Sequence, residues 1–241
     1  MLNVNNLESL FKETNARTYL RGFVPFFVDV LNAQQSVSPI TSILELGIGA
    51  GLKHAAWHDA SDANTTIGGI DHFDYRKTSM RNMGNFEHWK NCQINSENLF
   101  STRERIKVLY DKAYIESSVI KIKELMDVTS IDVIVDDSCA GPFEKVKPSL
   151  ATWKNSISLK GCYISETPDG NGTPLWRSET IEEHFEHFRI LREEQDMIVF
   201  DFSPIRIDFC LDYSSNFLGF YAPDMSIYQS VIDKYKQYII N

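Results

Sequence analysis

The sequence predicts an α/β fold: a doubly wound, mostly parallel, seven-stranded Rossmann-like sheet, with N-terminal helices before it and an antiparallel hairpin at its C-terminal end. Three observations carry this. Apolar runs alternate with amphipathic stretches five times along the chain, the pattern of a parallel sheet clothed in helices. Ile131-Asp132-Val133-Ile134-Val135 is almost continuously apolar, as a strand covered on both faces must be. The first apolar run, from Ile40 to Leu46, breaks directly into Gly47-Ile48-Gly49-Ala50-Gly51, a strand–turn–helix entry to a nucleotide-type site.

Taken in order, Leu7, Leu10, Phe11, Tyr19, Leu20 and Phe23 recur at roughly helical spacing, so residues 7–31 read as mainly helical. Pro25 kinks this segment or starts a second helix, because it has no N–H to donate. Asn32 to Pro39 reads as a polar connection. Residues 1–39 are then a helical cap on a domain spanning 40–241, the whole forming a single domain. Leu52 to Ala60 should be a short helix, and Thr65 to Ile70 a second strand ending at Asp71. Residues 72–99 carry mixed signals and read as a surface helix plus loop. Ile106 to Tyr110 is a third strand, ending at Asp111. Tyr114 to Asp127 is an amphipathic helix with Ile115, Val119, Ile122, Leu125 and Met126 on one side.

The fourth strand, 131–135, ends in Asp136-Asp137-Ser138-Cys139. Phe143, Val146, Leu150, Trp153 and Ile157 then predict a helix, with Pro148 in its first turn or at a kink. Lys160-Gly161 reads as the turn ending that helix, and Cys162 to Ser165 as a fifth strand ending at Glu166. The Gly- and Pro-rich stretch 167–176 reads as a long loop at the same sheet edge. A helix over 179–191 leads to a strand at 197–200. Strands at 205–211 and 217–221, joined by the turn 213–216, predict the antiparallel hairpin, and Tyr228, Val231, Ile232, Tyr235 and Ile239 mark a closing helix.

Composition narrows the function classes. The 241 residues are 43% hydrophobic and 24% charged, ordinary for a soluble globular chain. A formal net charge of -9 disfavours a broad phosphate-neutralising surface for nucleic acid. Cys92, Cys139, Cys162 and Cys210 form no CxxC pair, which argues against a zinc ribbon or a disulfide scaffold and suits a reducing, cytoplasmic setting. The N-terminal stretch lacks the blocks of a signal peptide, and no apolar run nears the ~20 residues that span a bilayer. The sequons at Asn64 and Asn171 then read as chance matches. Oligomeric state is left open.

The chemistry concentrates at one edge. Right-handed crossovers bring the carboxyl ends of parallel strands together, and that edge receives Glu45, Asp71, Asp111, Asp136 and Glu166 beside the glycine turn. Asp71, a little over 20 residues past the turn and at the tip of the next strand, is placed to accept hydrogen bonds from ribose hydroxyls. His184 and His187, at i and i+3 in a charged helix, read as a solvated face rather than a metal site. His54, His58, His72 and His88 have no partner visible in sequence.

Glu45-Leu46-Gly47-Ile48-Gly49-Ala50-Gly51, an acid followed by G-x-G-x-G, resembles the first motif of class I S-adenosylmethionine-dependent methyltransferases. The resemblance extends by position to Asp71 as the ribose acid, to Asp111 near the adenine and to the terminal hairpin. It implies S-adenosylmethionine as cofactor, bound by Glu45, Gly47, Gly49, Gly51, Asp71, Asp111 and Asp136. Asp132-Val133-Ile134-Val135-Asp136-Asp137-Ser138, with Leu159 to Glu166, is similar to the macrocin and macrolide-sugar O-methyltransferases and the cephalosporin hydroxylase-like group. Cys139 and Ala140 stand where that group has a histidine.

Methyl transfer from a sulfonium is an in-line displacement, so the protein's main task is alignment. An oxygen acceptor also benefits from losing its proton, to a carboxylate base or with the help of a divalent metal. Asp137 is the candidate base. Asp136, Asp137 and Glu166 are candidate hard-oxygen ligands for Mg²⁺, beside a metal-free alternative in which Asp136 touches the cofactor and Glu166 is solvated. The expected activity is O-methylation of a small molecule such as a sugar or natural product. A binding module that keeps the cofactor site without transferring a methyl group is the first alternative. An NAD-dependent oxidoreductase is disfavoured, because the dinucleotide fingerprint is G-x-G-x-x-G and position 52 is Leu.

Overall fold

The computed structural model describes residues 2–13, 24–71, 86–138, 146–165, 181–202 and 217–240. Seven strands form one sheet: β1 (Ser42–Leu46), β2 (Thr66–Ile70), β3 (Ile106–Leu109), β4 (Ile131–Asp136), β5 (Ile157–Ser165), β6 (Ile198–Asp201) and β7 (Phe217–Tyr221). Their order is β3-β2-β1-β4-β5-β7-β6. The first five pair in parallel, and β7 runs antiparallel to both β5 and β6. The doubly wound sheet and its antiparallel C-terminal hairpin are as the sequence predicts.

The helices are α1 (Val4–Glu13), α2 (Val24–Val37), α3 (Leu52–Ala60), α4 (Phe86–Phe100), α5 (Glu116–Met126), α6 (Val146–Trp153), α7 (Ile181–Gln195) and α8 (Gln229–Tyr235). Strand alternation sorts the core into two layers. Ile43, Ile67, Val133, Val135 and Ile164 meet residues of α1, α2, α3 and α8 on one face. Leu44, Leu46, Ile70, Ile134 and Tyr163 meet residues of α5, α6 and α7 on the other. Asn3 caps α1, its side chain accepting from the Asn6 N–H at 3.0 Å, and the Asn3 N–H binds the Ala60 carbonyl at the end of α3. Phe26 of α2 is enclosed by the rings of Phe200, Phe202, Phe220 and Tyr235 at centroid distances of 4.9–5.8 Å. The buried residues of α1 and α2 thus pack in the same core as one face of the sheet.

Three local expectations need correction. Asn32 to Val37 is not a polar connection but the last part of α2, because Gln34 is buried and its Nε2 donates to the Asp132 carbonyl at 3.1 Å. Leu125 lies on the exposed side of α5, whose buried stripe is Ser118, Val119, Ile122 and Met126. Ile157 and Lys160-Gly161 belong to a strand, since α6 ends at Trp153 and β5 begins after a single 3₁₀ turn. Between the pairs Ile131–Ile157 and Val133–Cys162 the strand bulges, leaving Leu159 in solvent and Gly161 against the Asp132 carbonyl, where a Cβ would lie 2.5 Å from the oxygen. β7 pairs antiparallel with β6, Asp201 opposite Phe217; the predicted strand 205–211 and turn 213–216 lie outside the described residues.

If the N-terminal helices are integral to the core, Phe26→Ala should lower unfolding stability by about 3–5 kcal/mol, the range for truncating a buried aromatic. Urea denaturation measures this, and a loss near zero would show α2 to be a detachable cap.

Candidate functional site

The site is built on the carboxyl end of β1, the central strand, hydrogen-bonded to β2 on one side and β4 on the other. The turn leaving β1 holds Gly47, Gly49 and Gly51 at φ of 94°, 51° and 78°, a region that residues with a Cβ seldom occupy. The three positions do different work. A Cβ on Gly47 would sit 2.6 Å from the Asp137 backbone oxygen, so the turn is wedged against the tip of β4. One on Gly51 would strike the Phe100 ring, so this glycine lets α3 pack against α4. Among the described residues, a Cβ on Gly49 would meet nothing within 4 Å. Gly49 is the open side of the turn.

Asp71, one residue beyond β2, holds the turn from the other flank. Its Oδ2 accepts the N–H of Ile48 at 3.0 Å and of Gly49 at 3.3 Å, while the Gly47 N–H binds the Ile70 carbonyl at 2.8 Å. Asp71, predicted as a ribose acid, is in the structure a brace of the glycine turn. Its charge reaches Cys92 of α4 and Tyr110 beyond β3, and both side chains titrate above their ordinary values, mainly through burial. Tyr110 is half exposed and donates to Glu97 at 3.2 Å. Asp111 is engaged elsewhere, accepting from Lys121 Nζ at 2.9 Å and from the Lys112 N–H; the Lys121 bond leads in holding its carboxyl below the usual range.

Behind the turn lies a buried charge cluster. Glu45 is fully buried, and Lys53 Nζ sits 2.6 Å from its Oε1 and 2.7 Å from Asp137 Oδ2. Among the described residues neither oxygen of Glu45 has a partner in a hydrogen-bonding direction, so its described contact with Lys53 is one of charge. His54 Nδ1 lies 3.5 Å from Glu45 Oε2, and the ring packs over Gly69, where a Cβ would come within 2.6 Å of Nε2. Burial pushes the His54 pKa down despite the nearby Glu45 charge, so the ring is neutral. Asp137 is pushed up, by burial first, against the opposing pull of Lys53. Its Oδ1 is shielded and takes no hydrogen bond among the described residues.

The paired acids at the end of β4 part company. Successive residues of a strand point to opposite faces. Asp137 turns toward α3 and Lys53. Asp136 turns to the other layer, where its Oδ2 accepts from the Tyr163 hydroxyl and its Oδ1 accepts from the Ser138 N–H at 3.0 Å and the Ser138 hydroxyl. Glu166, the third candidate metal ligand, lies outside the described residues, as do His72 and the loop 167–178. Among the described residues no group of three His, Cys, Asp or Glu is placed to hold a metal ion. Nor is any described helix long and apolar enough to cross a membrane.

The structure therefore brings together Glu45, Gly47, Gly49, Asp71 and Asp137 around one turn, with Gly51 opening α3 and Asp136 beneath it on the opposite face. It adds Lys53 and His54, which the sequence reading did not select. A signal for Lys53 was present: Lys53, Trp57 and Ala60 fall at i, i+4 and i+7, so the lysine stands on the helix's buried stripe.

No family model matches the chain, and no curated protein matches it by sequence. Solved structures do match in fold. Fibrillarin from Aeropyrum pernix, solved with natively bound S-adenosyl-L-methionine, is 14% identical over 79% of this chain and 73% of its own, at a TM-score of 0.46. An SAH-bound methyltransferase from Podospora anserina is 13% identical over 91% and 86%, at 0.45. A TDP-rhamnose 3′-O-methyltransferase of calicheamicin biosynthesis is 14% identical over 91% and 92%, at 0.41. Likenesses at these values transfer no residue roles.

The His54 environment has a measurable consequence. In the unfolded chain its imidazole takes up a proton near pH 6.5, while in the folded protein it stays neutral to lower pH. The stability it contributes is present above pH 6.5 and lost as pH falls toward the folded value, with a limiting slope of about 1.4 kcal/mol per pH unit. Urea titrations from pH 7.5 to 5.5 should show the wild type losing stability relative to His54→Asn. Parallel curves for the two would contradict a neutral buried His54.

Proposed function

We propose that this chain is an S-adenosylmethionine-dependent methyltransferase acting on an oxygen of a small molecule, a sugar or natural product. The observation that carries the proposal is the glycine turn at the end of the central strand, open at Gly49 and braced by Asp71 across two consecutive amides. The donor set suits an adenosine-type ligand: backbone without side chains where the ligand approaches, and a carboxylate beside it to receive ribose hydroxyls.

S-Adenosylmethionine, when bound, supplies an electrophilic methyl group on a positively charged sulfur. The protein's contribution is to hold and to exclude. Gly49 and Asp71 form the cofactor side, Gly47 and Gly51 give the turn its shape, and Asp111 is held by Lys121 of α5. Asp136 is fixed by Tyr163 and Ser138 at the tip of β4. Asp137 is assigned as the proton acceptor for the attacking hydroxyl: Oδ2 is bound to Lys53, burial raises the carboxylate's proton affinity, and the shielded Oδ1 would have to open toward the acceptor as it binds. Deprotonating the hydroxyl at that atom turns a weak nucleophile into a better one in a site where alignment does most of the work.

Two measurements test this. S-Adenosylmethionine or S-adenosylhomocysteine should raise the melting temperature and NAD should not, since a ligand that binds only the folded state stabilises it by mass action. Stabilisation by NAD alone would refute the proposal. Gly49→Ala should cost only about 1 kcal/mol of stability through its left-handed φ, yet weaken cofactor affinity by about tenfold or more, because the added methyl fills the open side of the turn. Calorimetry showing wild-type affinity for Gly49→Ala would place the ligand elsewhere.

A further inference from the structure

We propose that Lys53 is a positioning residue for this site: its ammonium ties the acid of the central strand, Glu45, to Asp137, and through Asp137 sets the shape of the glycine turn. The inference deepens the methyltransferase reading and rests on it.

Lys53 is the second residue of α3. Its backbone is fixed to the turn, because Gly51 precedes the helix in a left-handed conformation and the Gly51 carbonyl accepts the Ala55 N–H at 3.0 Å. The side chain runs inward, with 8% of its surface exposed, and ends between two carboxylates at 2.6 and 2.7 Å. Those carboxylates belong to adjacent strands, and the strand tips are joined by the Asp137 N–H on the Leu46 carbonyl at 2.8 Å. The Asp137 carbonyl is in turn the surface against which Gly47 is packed. Turn, helix start, and the tips of β1 and β4 thus close into one ring of contacts, and Lys53 supplies its only described cation.

A fully buried carboxylate and a partly buried one at neighbouring strand tips repel unless a counter-charge lies between them, and removing one partner of such an ionic group leaves the others uncompensated. Without Lys53, Asp137 must move, bind a proton or draw in water, and each alternative shifts the wall on which Gly47 rests. Methionine keeps the length and apolar stem of the side chain but not the charge; arginine keeps the charge in a different shape.

The test uses the full chain and measures S-adenosylmethionine and S-adenosylhomocysteine affinity by calorimetry alongside ligand-free melting. K53M should weaken both affinities by about tenfold or more, and K53R should recover most of the loss. Phe26→Ala, placed far from the site, controls for stability: it should melt earlier than wild type yet bind with unchanged affinity. Wild-type affinity in K53M, or failure of K53R to recover any of the loss, overturns the role of Lys53. If K53M does not fold, E45Q/K53M, which deletes one charge of each sign, decides in its place: weakened binding supports the role and unchanged binding overturns it. If the wild-type protein binds neither sulfur compound, the methyltransferase reading itself falls and the proposal with it, an outcome distinct from a wild type that binds and a K53M that binds equally well.

Discussion

The architecture of the carboxyl edge depends on one constraint: the central strand leaves the sheet through backbone that only glycine adopts readily, pressed against the tip of the neighbouring strand. With a Cβ at Gly47 the Asp137 carbonyl cannot stay where it is. The turn's shape then fixes what surrounds it. It presents the Ile48 and Gly49 amides side by side to a single oxygen of Asp71, and it starts α3 so that the helix's second residue drops into the space behind. The sheet supplies rigidity, since β1 is paired on both edges and all five of its residues are buried.

Electrostatics shapes the same region from below. Glu45 and Asp137 share the face under α3, and placing two carboxylates there would be costly without a cation between them. Lys53 meets that need. Asp136 is stabilised by other means, through a tyrosine hydroxyl and a serine that together cover both of its oxygens. Neighbouring acids in sequence thus occupy unlike environments, one hydrogen-bonded on the α5–α7 side, the other ion-paired on the α3 side. On the proposed function Asp137 both supports the glycine turn with Lys53 and takes the proton, while Asp136 is held at the tip of β4.

The bulge in β5 and the burial of Gln34 show how distant parts of the chain support this edge. Asp132 sits at the opposite end of β4, where its Oδ2 accepts from the Thr41 N–H and hydroxyl and from the Ser42 N–H, while Oδ1 accepts from Ser158. Its backbone carbonyl takes the Gln34 side chain. These bonds lock the register of β1 against β4 and β5 at the amino end. A one-residue slip would carry Glu45 away from Lys53 and into the apolar layer on the other face.

Much of this was legible in the chain. The alternation of strand and helix, the covered strand 131–135, the glycine turn and the acids at strand ends follow from local pattern, because period, propensity and turn chemistry are properties of short segments. What a carboxylate touches is not such a property. Nothing local to Asp71 says that it braces the amides of residues 48 and 49, and nothing in Asp136-Asp137 says that the pair is split between two layers until β4 has neighbours. The 157–161 segment misled for the same reason: its apolar spacing fits a helix, but β4 offers an open edge that takes Ile157 and then Cys162 as strand partners, with a bulge between. Lys53 is the clearest case. Its sequence places it on a helix after a turn, and only the packing of α3 over β1 and β4 brings its ammonium between two acids that lie 8 residues before it and 84 after. The sequence by itself determined the sheet, the turn and the acids at its edge; the tertiary structure decided which of those acids share a counter-charge, because ion pairs form across space between strands whose separation along the chain carries no trace of their contact.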